Sequence, residues 1–150
     1  MQALKHILLV EDDPKDIELT LTALGECNLA NDVVTVRDGV EALDYLYRRG
    51  EFALRAEGNA VVILLDLKMP RLDGVQVVRQ LKADEQMRFV PIVVLTSSRE
   101  SRDLDESYRL GVNAYVVKPV RFAEFVEAIK GIGVFWALIN TPPHGCVERQ

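Results

Sequence analysis

The amino-acid sequence predicts an α/β protein, a doubly wound parallel sheet of five strands with helices on both faces. Apolar runs of strand length alternate along the chain with segments of helical period, the pattern of repeated βα units. Three of those runs, HILLV, AVVILL and PIVVLT, are nearly unbroken Val, Ile and Leu, as in strands covered on both faces. Polar and charged residues then follow the runs directly, where open α/β sheets bind their ligands.

The first strand is expected over residues 6–10. The helix over 14–26 begins where Asp13 caps it, Pro14 supplies a preset first position and Asp16 adds negative charge to the first turn. A shorter, more mixed strand over 32–36 precedes a helix over 40–49. The third strand, 60–65, leads through Asp73-Gly74 into a helix over 75–83, and the fourth, 91–96, into a helix over 101–110 that Gly111 closes as a C-cap. The fifth strand, 114–117, is again mixed, and the last helix runs from Arg121 onward. The mixed second and fifth strands are the expected edges. No internal repeat or low-complexity segment interrupts the series.

At 150 residues, 49% hydrophobic and 27% charged, the chain suits one domain burying roughly 70% of its unfolded surface. A net charge of -5 without a Lys/Arg run argues against nucleic-acid binding. Its apolar stretches fall far short of the roughly 20 residues of a membrane helix, and the amino terminus lacks a signal-peptide pattern. A cytoplasmic protein is expected. Cys27 and Cys146 lie far apart without metal-type spacing and read as structural or incidental thiols.

The stretch ILLVEDDPKD, residues 7–16, crowds Glu11, Asp12 and Asp13 behind the first strand. Unit charges about 4 Å apart repel by roughly 4 kcal/mol at an effective dielectric near 20, so such a cluster needs either divergent side chains or a cation. Strand one ends at Glu11 and Asp12, strand three at Asp66, strand four at Thr96 and Ser97, and strand five at Lys118 and Pro119. Carboxylates suit a hard divalent cation, and a hydroxyl and an ammonium suit the oxygens of a phosphoryl group.

These residues and spacings resemble the receiver domain of two-component response regulators over residues 4–132. The motifs are LLVEDD, LLDLKMPRLDG around Asp66, VVLTSS with Thr96, and NAYVVKPV with Tyr115 and Lys118. The resemblance implies a flavodoxin-like sheet of order 2-1-3-4-5. It also implies a phosphoacceptor at Asp66, with Mg²⁺ held by Asp12, Asp66, the Lys68 backbone carbonyl and, through water, Glu11. Lys118 and Thr96 would contact phosphoryl oxygens, and Thr96 and Tyr115 would form the switch. Pro119 suggests a cis bond that aims Lys118 inward. Asp13 stays a helix cap. Lys68 and Ser98 flank the entrance for hydrolytic water and are expected to tune the phosphoryl lifetime. Such a domain catalyses its own phosphorylation and dephosphorylation and is not a turnover enzyme.

A dehalogenase-type phosphatase would need an Asp-x-Asp after strand one, but Pro14 stands there; a nucleotide module would need a glycine-rich loop. A phosphorylation-independent pseudo-receiver, acting only as an interaction module, is the alternative from another class.

The 18 residues of 133–150 are too few for a DNA-binding output module, so a stand-alone receiver is expected. Two segments exceed minimal connections: RRGEFALRAEGN, 48–59, which either lengthens the second helix or adds contacts, and VFWALINTPP, 134–143. With DIELTLTAL and ALDYLYRRG they resemble the small receivers beside bacterial phytochrome histidine kinases. The implied partners are a sensor histidine kinase, a bacteriophytochrome being the expected kind, and a downstream phosphotransfer protein. The kinase is expected on a surface near Ile17, Leu21 and Val120. Phe135, Trp136, Leu138 and Ile139 form an apolar cluster that either folds back or joins two copies, and a homodimer is expected from it.

Overall fold

The computed structural model describes residues 6–145. Five parallel strands, β1 (Ile7–Val10), β2 (Val33–Val36), β3 (Val62–Leu65), β4 (Ile92–Thr96) and β5 (Ala114–Val117), form one sheet in the order β2-β1-β3-β4-β5. The helices are α1 (Pro14–Gly25), α2 (Gly39–Leu46), α3 (Gly74–Lys82), α4 (Ser101–Leu110) and α5 (Phe122–Gly133). Every position of β1, β3 and β4 is buried, whereas β2 and β5, the two edges, are mostly half-buried. That contrast is the one their compositions predict, because only central strands are covered on both faces.

Helix starts follow local chemistry. The Asp13 carboxylate accepts from the backbone N–H groups of Lys15 and Asp16, and Asp73 forms a reciprocal capping box with Gln76. At its far end α4 closes on Gly111, whose φ of 103° places it in the left-handed region.

One expected helix bound is corrected. α2 stops at Leu46, not at residue 49, because Arg48 turns left-handed at φ 54° and Arg49 folds back to pair with Asp44. The connection after it does not lengthen the helix; it adds contacts. The Arg55 guanidinium donates to the carbonyls of Tyr45, Ala56 and Gly58 and lies 4.2 Å over the Tyr45 ring, which also meets Phe52 edge-on. The last helix runs onward from Arg121 as expected: α5 continues in π-helical turns over Val134–Ile139 before the chain becomes extended at Asn140. Trp136 packs against the core and Ala137 is buried, while Phe135, Leu138 and Ile139 face solvent. Cys27 is a half-buried free thiol; Cys146 lies outside the described residues. Among the described residues no helix is long and apolar enough to cross a membrane.

Candidate functional site

Strand register assembles the site. Val10 is level with Val36 and Leu65, Leu65 with Val94, and Thr96 with Val117. The ladder runs one step past the strands: Glu11 N donates to the Val36 carbonyl, Asp66 N to that of Val10, and Lys118 N to that of Thr96. Residues far apart in sequence therefore leave the sheet together at its carboxyl edge.

Glu11, Asp12 and Asp66 each offer a carboxylate oxygen, and those oxygens lie within 4.8 Å of one another. Glu11 and Asp66 are buried, and Asp12 is the accessible member. A cluster of hard oxygen donors, partly open to water, fits Mg²⁺ or Mn²⁺. The Lys118 ammonium supplies the positive charge among the side chains. It donates to Glu11 at 2.5 Å, to Asp16 at 2.7 Å and to Asp66 at 3.3 Å. Burial pushes the Glu11 carboxyl up to about 7, against the opposing pull of Lys118. Burial alone would lower the Lys118 ammonium, yet its bonds to Asp16 and Glu11 and the charge of Asp66 hold it above its ordinary value. Lys118 thus stays charged at neutral pH.

Over these groups lies a cleft of about 530 Å³, lined by Asp12, Asp66, Lys68, Thr96, Ser98 and Lys118 among others. Thr96 is fully buried, its hydroxyl oxygen accepting from Ser98 N at 3.3 Å. Tyr115 is half-buried and outside the cleft lining; its hydroxyl donates to the Ser98 carbonyl at 3.2 Å. Asp13 is absorbed by its cap, as expected. Among the described residues there is no cis peptide bond, so the expected cis Lys118–Pro119 bond is not found; Lys118 reaches inward from a trans linkage. Phe135, Trp136, Leu138 and Ile139 lie beyond α5, away from the cleft lining. Ile17 is buried in the core and is withdrawn from the docking surface, and Leu21 packs against that core.

Two acids escaped the sequence reading. Asp16 reads as first-turn charge but turns back onto Lys118, and Asp103, in the first turn of α4, is buried behind the cleft. Their only sequence signal is an acid three residues after a helix cap, which helix electrostatics explains without a site.

A 2-1-3-4-5 parallel sheet carrying an acid trio and a lysine at its carboxyl edge defines a class of metal-assisted phosphoryl-handling signalling domain. The chain belongs to the response regulator receiver domain family, which matches residues 7–130. That family's general function is phosphorylation on aspartate with Mg²⁺. Response regulator Rcp1 of Synechocystis is 34% identical over 139 residues, 93% of each chain, and the crystal structure of its Mn²⁺-bound form aligns with a TM-score of 0.86. The phosphorylated cyanobacterial phytochrome response regulator RcpA is 40% identical, with a TM-score of 0.86 over 93% of this chain and 98% of that one. Bacteriophytochrome response regulator RtBRR is 57% identical, with a TM-score of 0.75 over 95% of this chain and 86% of that one.

Proposed function

We propose that this receiver takes a phosphoryl group from a sensor histidine kinase onto Asp66. One observation carries the assignment: Asp66 is the carboxylate of the cleft that meets both the metal-capable pair, Glu11 and Asp12, and the Lys118 ammonium. A carboxylate oxygen of Asp66 attacks the phosphorus of phosphohistidine in line. The O–P bond forms, the P–N bond breaks, and the released imidazole nitrogen takes up a proton. Mg²⁺, when bound, would supply charge neutralisation for the phosphoryl oxygens; Asp12, Asp66 and the Lys68 backbone carbonyl would hold it, with Glu11 in support. Lys118 and the Thr96 hydroxyl contact phosphoryl oxygens, and Tyr115 follows Thr96 as the switch. Positioning and neutralisation are what a loose phosphoryl transition state asks for. The same groups let the domain catalyse its own dephosphorylation.

Residues 4–132 form the receiver in this reading, and 133–150 an extension that makes a homodimer. The donor reaches Asp66 from a second cleft of about 410 Å³ that joins Asp16 and Lys118 to Leu19, Val120 and Phe122. Val120, already expected there, is 93% exposed, and Phe122, 61% exposed, takes the place of Ile17 as an apolar contact of that face. Likeness to the phytochrome regulators supports a bacteriophytochrome kinase as the donor; in this reading the exchange takes place in the cytoplasm, and a phosphotransfer protein acts downstream.

The test is incubation with acetyl phosphate and Mg²⁺ followed by intact mass. One phosphoryl group is expected on the parent chain and none on Asp66→Asn or under chelation. Undiminished labelling of the Asn variant would sink the assignment.

A further inference from the structure

One buried charge has no part in the chemistry above. Asp103, the third residue of α4, has a side chain 8% exposed, and it belongs neither to the acid trio nor to the cleft lining. Two groups reach it. The Ser98 hydroxyl donates at 2.5 Å from the loop after β4, and the Lys68 ammonium stands 3.4 Å away on the loop after β3. Both of those residues line the cleft over Asp66. A single carboxylate on a third element therefore ties together the two loops at its mouth.

The remaining contacts make the arrangement directional. Ser98 is already held by its N–H on Thr96 and by the Tyr115 hydroxyl on its carbonyl. Lys68 is also held at its backbone, where its N–H donates to Asp66 Oδ1 at 3.3 Å, but its ammonium is held less: the side chain is 62% exposed, and its one ion pair among the described residues is with Asp103. A long, flexible ammonium without such a partner spreads over many rotamers. The Ser98 hydrogen bond, with help from Lys68, holds the Asp103 carboxyl below the usual carboxylate range, so its charge is present throughout the physiological range.

We infer that Asp103 is a positioning residue that holds Lys68 across the mouth of the cleft, and that it thereby sets the lifetime of the phosphoryl group on Asp66. The inference rests on the reading of Asp66 as phosphoacceptor. In hydrolysis a water oxygen attacks phosphorus opposite the Asp66 oxygen; the new O–P bond forms as the bond to Asp66 breaks, the carboxylate is restored, and inorganic phosphate leaves with one of the water's protons while the other passes to solvent. That water enters through the mouth Lys68 crosses. Releasing Lys68 clears the path.

The experiment labels the full chain with acetyl phosphate and Mg²⁺, removes the donor, and follows loss of the phosphoryl group by intact mass. Asp103→Asn keeps the shape and an acceptor for Ser98 but loses the charge. It and Lys68→Ala should each shorten the lifetime by up to about fivefold, the range open to one partly exposed ion pair. The double variant should decay no faster than Lys68→Ala alone, since both remove one interaction. Lys68→Arg should keep most of the parent lifetime. A parent-like lifetime in either single variant overturns the inference, and so do effects that multiply in the double variant, which would mark Asp103 as merely structural. Lys68 is exposed, so its variants report even where Asp103→Asn folds poorly. Failure to label the parent chain would overturn the Asp66 reading and this inference with it, whereas labelled protein with unchanged decay overturns this inference alone.

Discussion

Lys118 answers the question posed by three acids in a row. Asp13 diverges into a helix cap, and Glu11 turns toward an ammonium that also meets Asp66 and Asp16. Removing one partner from a buried charge network is costly because the others stay desolvated and unpaired, so Lys118→Met should destabilise the fold by about 3 kcal/mol. The same variant should gain more from millimolar Mg²⁺ in a thermal melt than the parent does, the metal now being the remaining source of positive charge among the acids. Equal Mg²⁺ shifts in the two proteins would contradict this account of the site. His6 gives a second test. Burial first, and the Arg55 charge second, push its imidazole down to about 4 from 6.5, and its Nε2 is buried without a hydrogen-bond partner among the described residues. Between those values the unfolded chain holds the proton and the folded chain does not. The stability from His6 is therefore complete above pH 6.5 and drains as pH falls toward 4, by at most about 3 kcal/mol. A His6→Phe variant should lose less stability than the parent over that window in urea titrations at stepped pH.

Elements are placed by close backbone approaches that only glycine permits. A Cβ on Gly74 would overlap the carbonyl oxygen of Asp66, and one on Gly39 would overlap that of Leu72, to which Gly39 N–H donates. α3 and α2 are thereby pressed against the loop that follows Asp66, and Arg71 on that loop pairs with the buried Asp38 cap of α2 at 2.7 Å. Gly74→Ala should cost about 3 kcal/mol and, by shifting the Asp66 backbone, slow labelling by acetyl phosphate; a stable variant with parent-like labelling would refute the coupling. What the sequence makes legible at this scale is whatever is local. The Asp13 and Asp73 caps and the Gly111 stop each depend on neighbours within a few residues, and the continuous apolar runs mark β1, β3 and β4 because burial on both faces leaves no alternation. The strand-end acids, Thr96 and Lys118 follow from those runs. Asp16 on Lys118, Asp103 on Lys68 and Asp38 on Arg71 stayed hidden because each partner lies on another element, where identical sequence signals serve ordinary helix starts. The early end of α2 was hidden for a related reason: Arg48 is a good helix former, and the chain turns there because Arg49 folds back onto Asp44 and Arg55 draws the connection onto the Tyr45 carbonyl.

At the scale of the whole molecule the open question is what covers the end of α5. Folding back accounts for part of the apolar cluster: Gly133 sits so close to Leu24 that a Cβ would lie 2.6 Å from its methyl, Ala137 is buried, and Trp136 packs on the core with Phe135 edge-on at 5.1 Å. It does not account for Phe135, Leu138 and Ile139, which remain 45%, 59% and 66% exposed. Helical spacing groups these three on neighbouring turns, so they form a stripe and not scattered single side chains. A stripe on one segment is self-complementary about a two-fold axis, the commonest symmetry of soluble oligomers, and pairing it buries the same residues in both copies. Burial of such large side chains contributes about 1.5–3 kcal/mol each when complete, enough for three per copy to drive association. The intact chain should therefore show dimer mass by light scattering at micromolar concentration. Leu138→Glu should give monomer while changing thermal stability of the fold by no more than about 0.5 kcal/mol, because the residue faces solvent within one copy. Trp136→Ala should behave differently, lowering the melting temperature as well, since that ring belongs to the core of its own chain. Monomer mass for the intact protein, with and without phosphorylation, is the result that would remove the dimer.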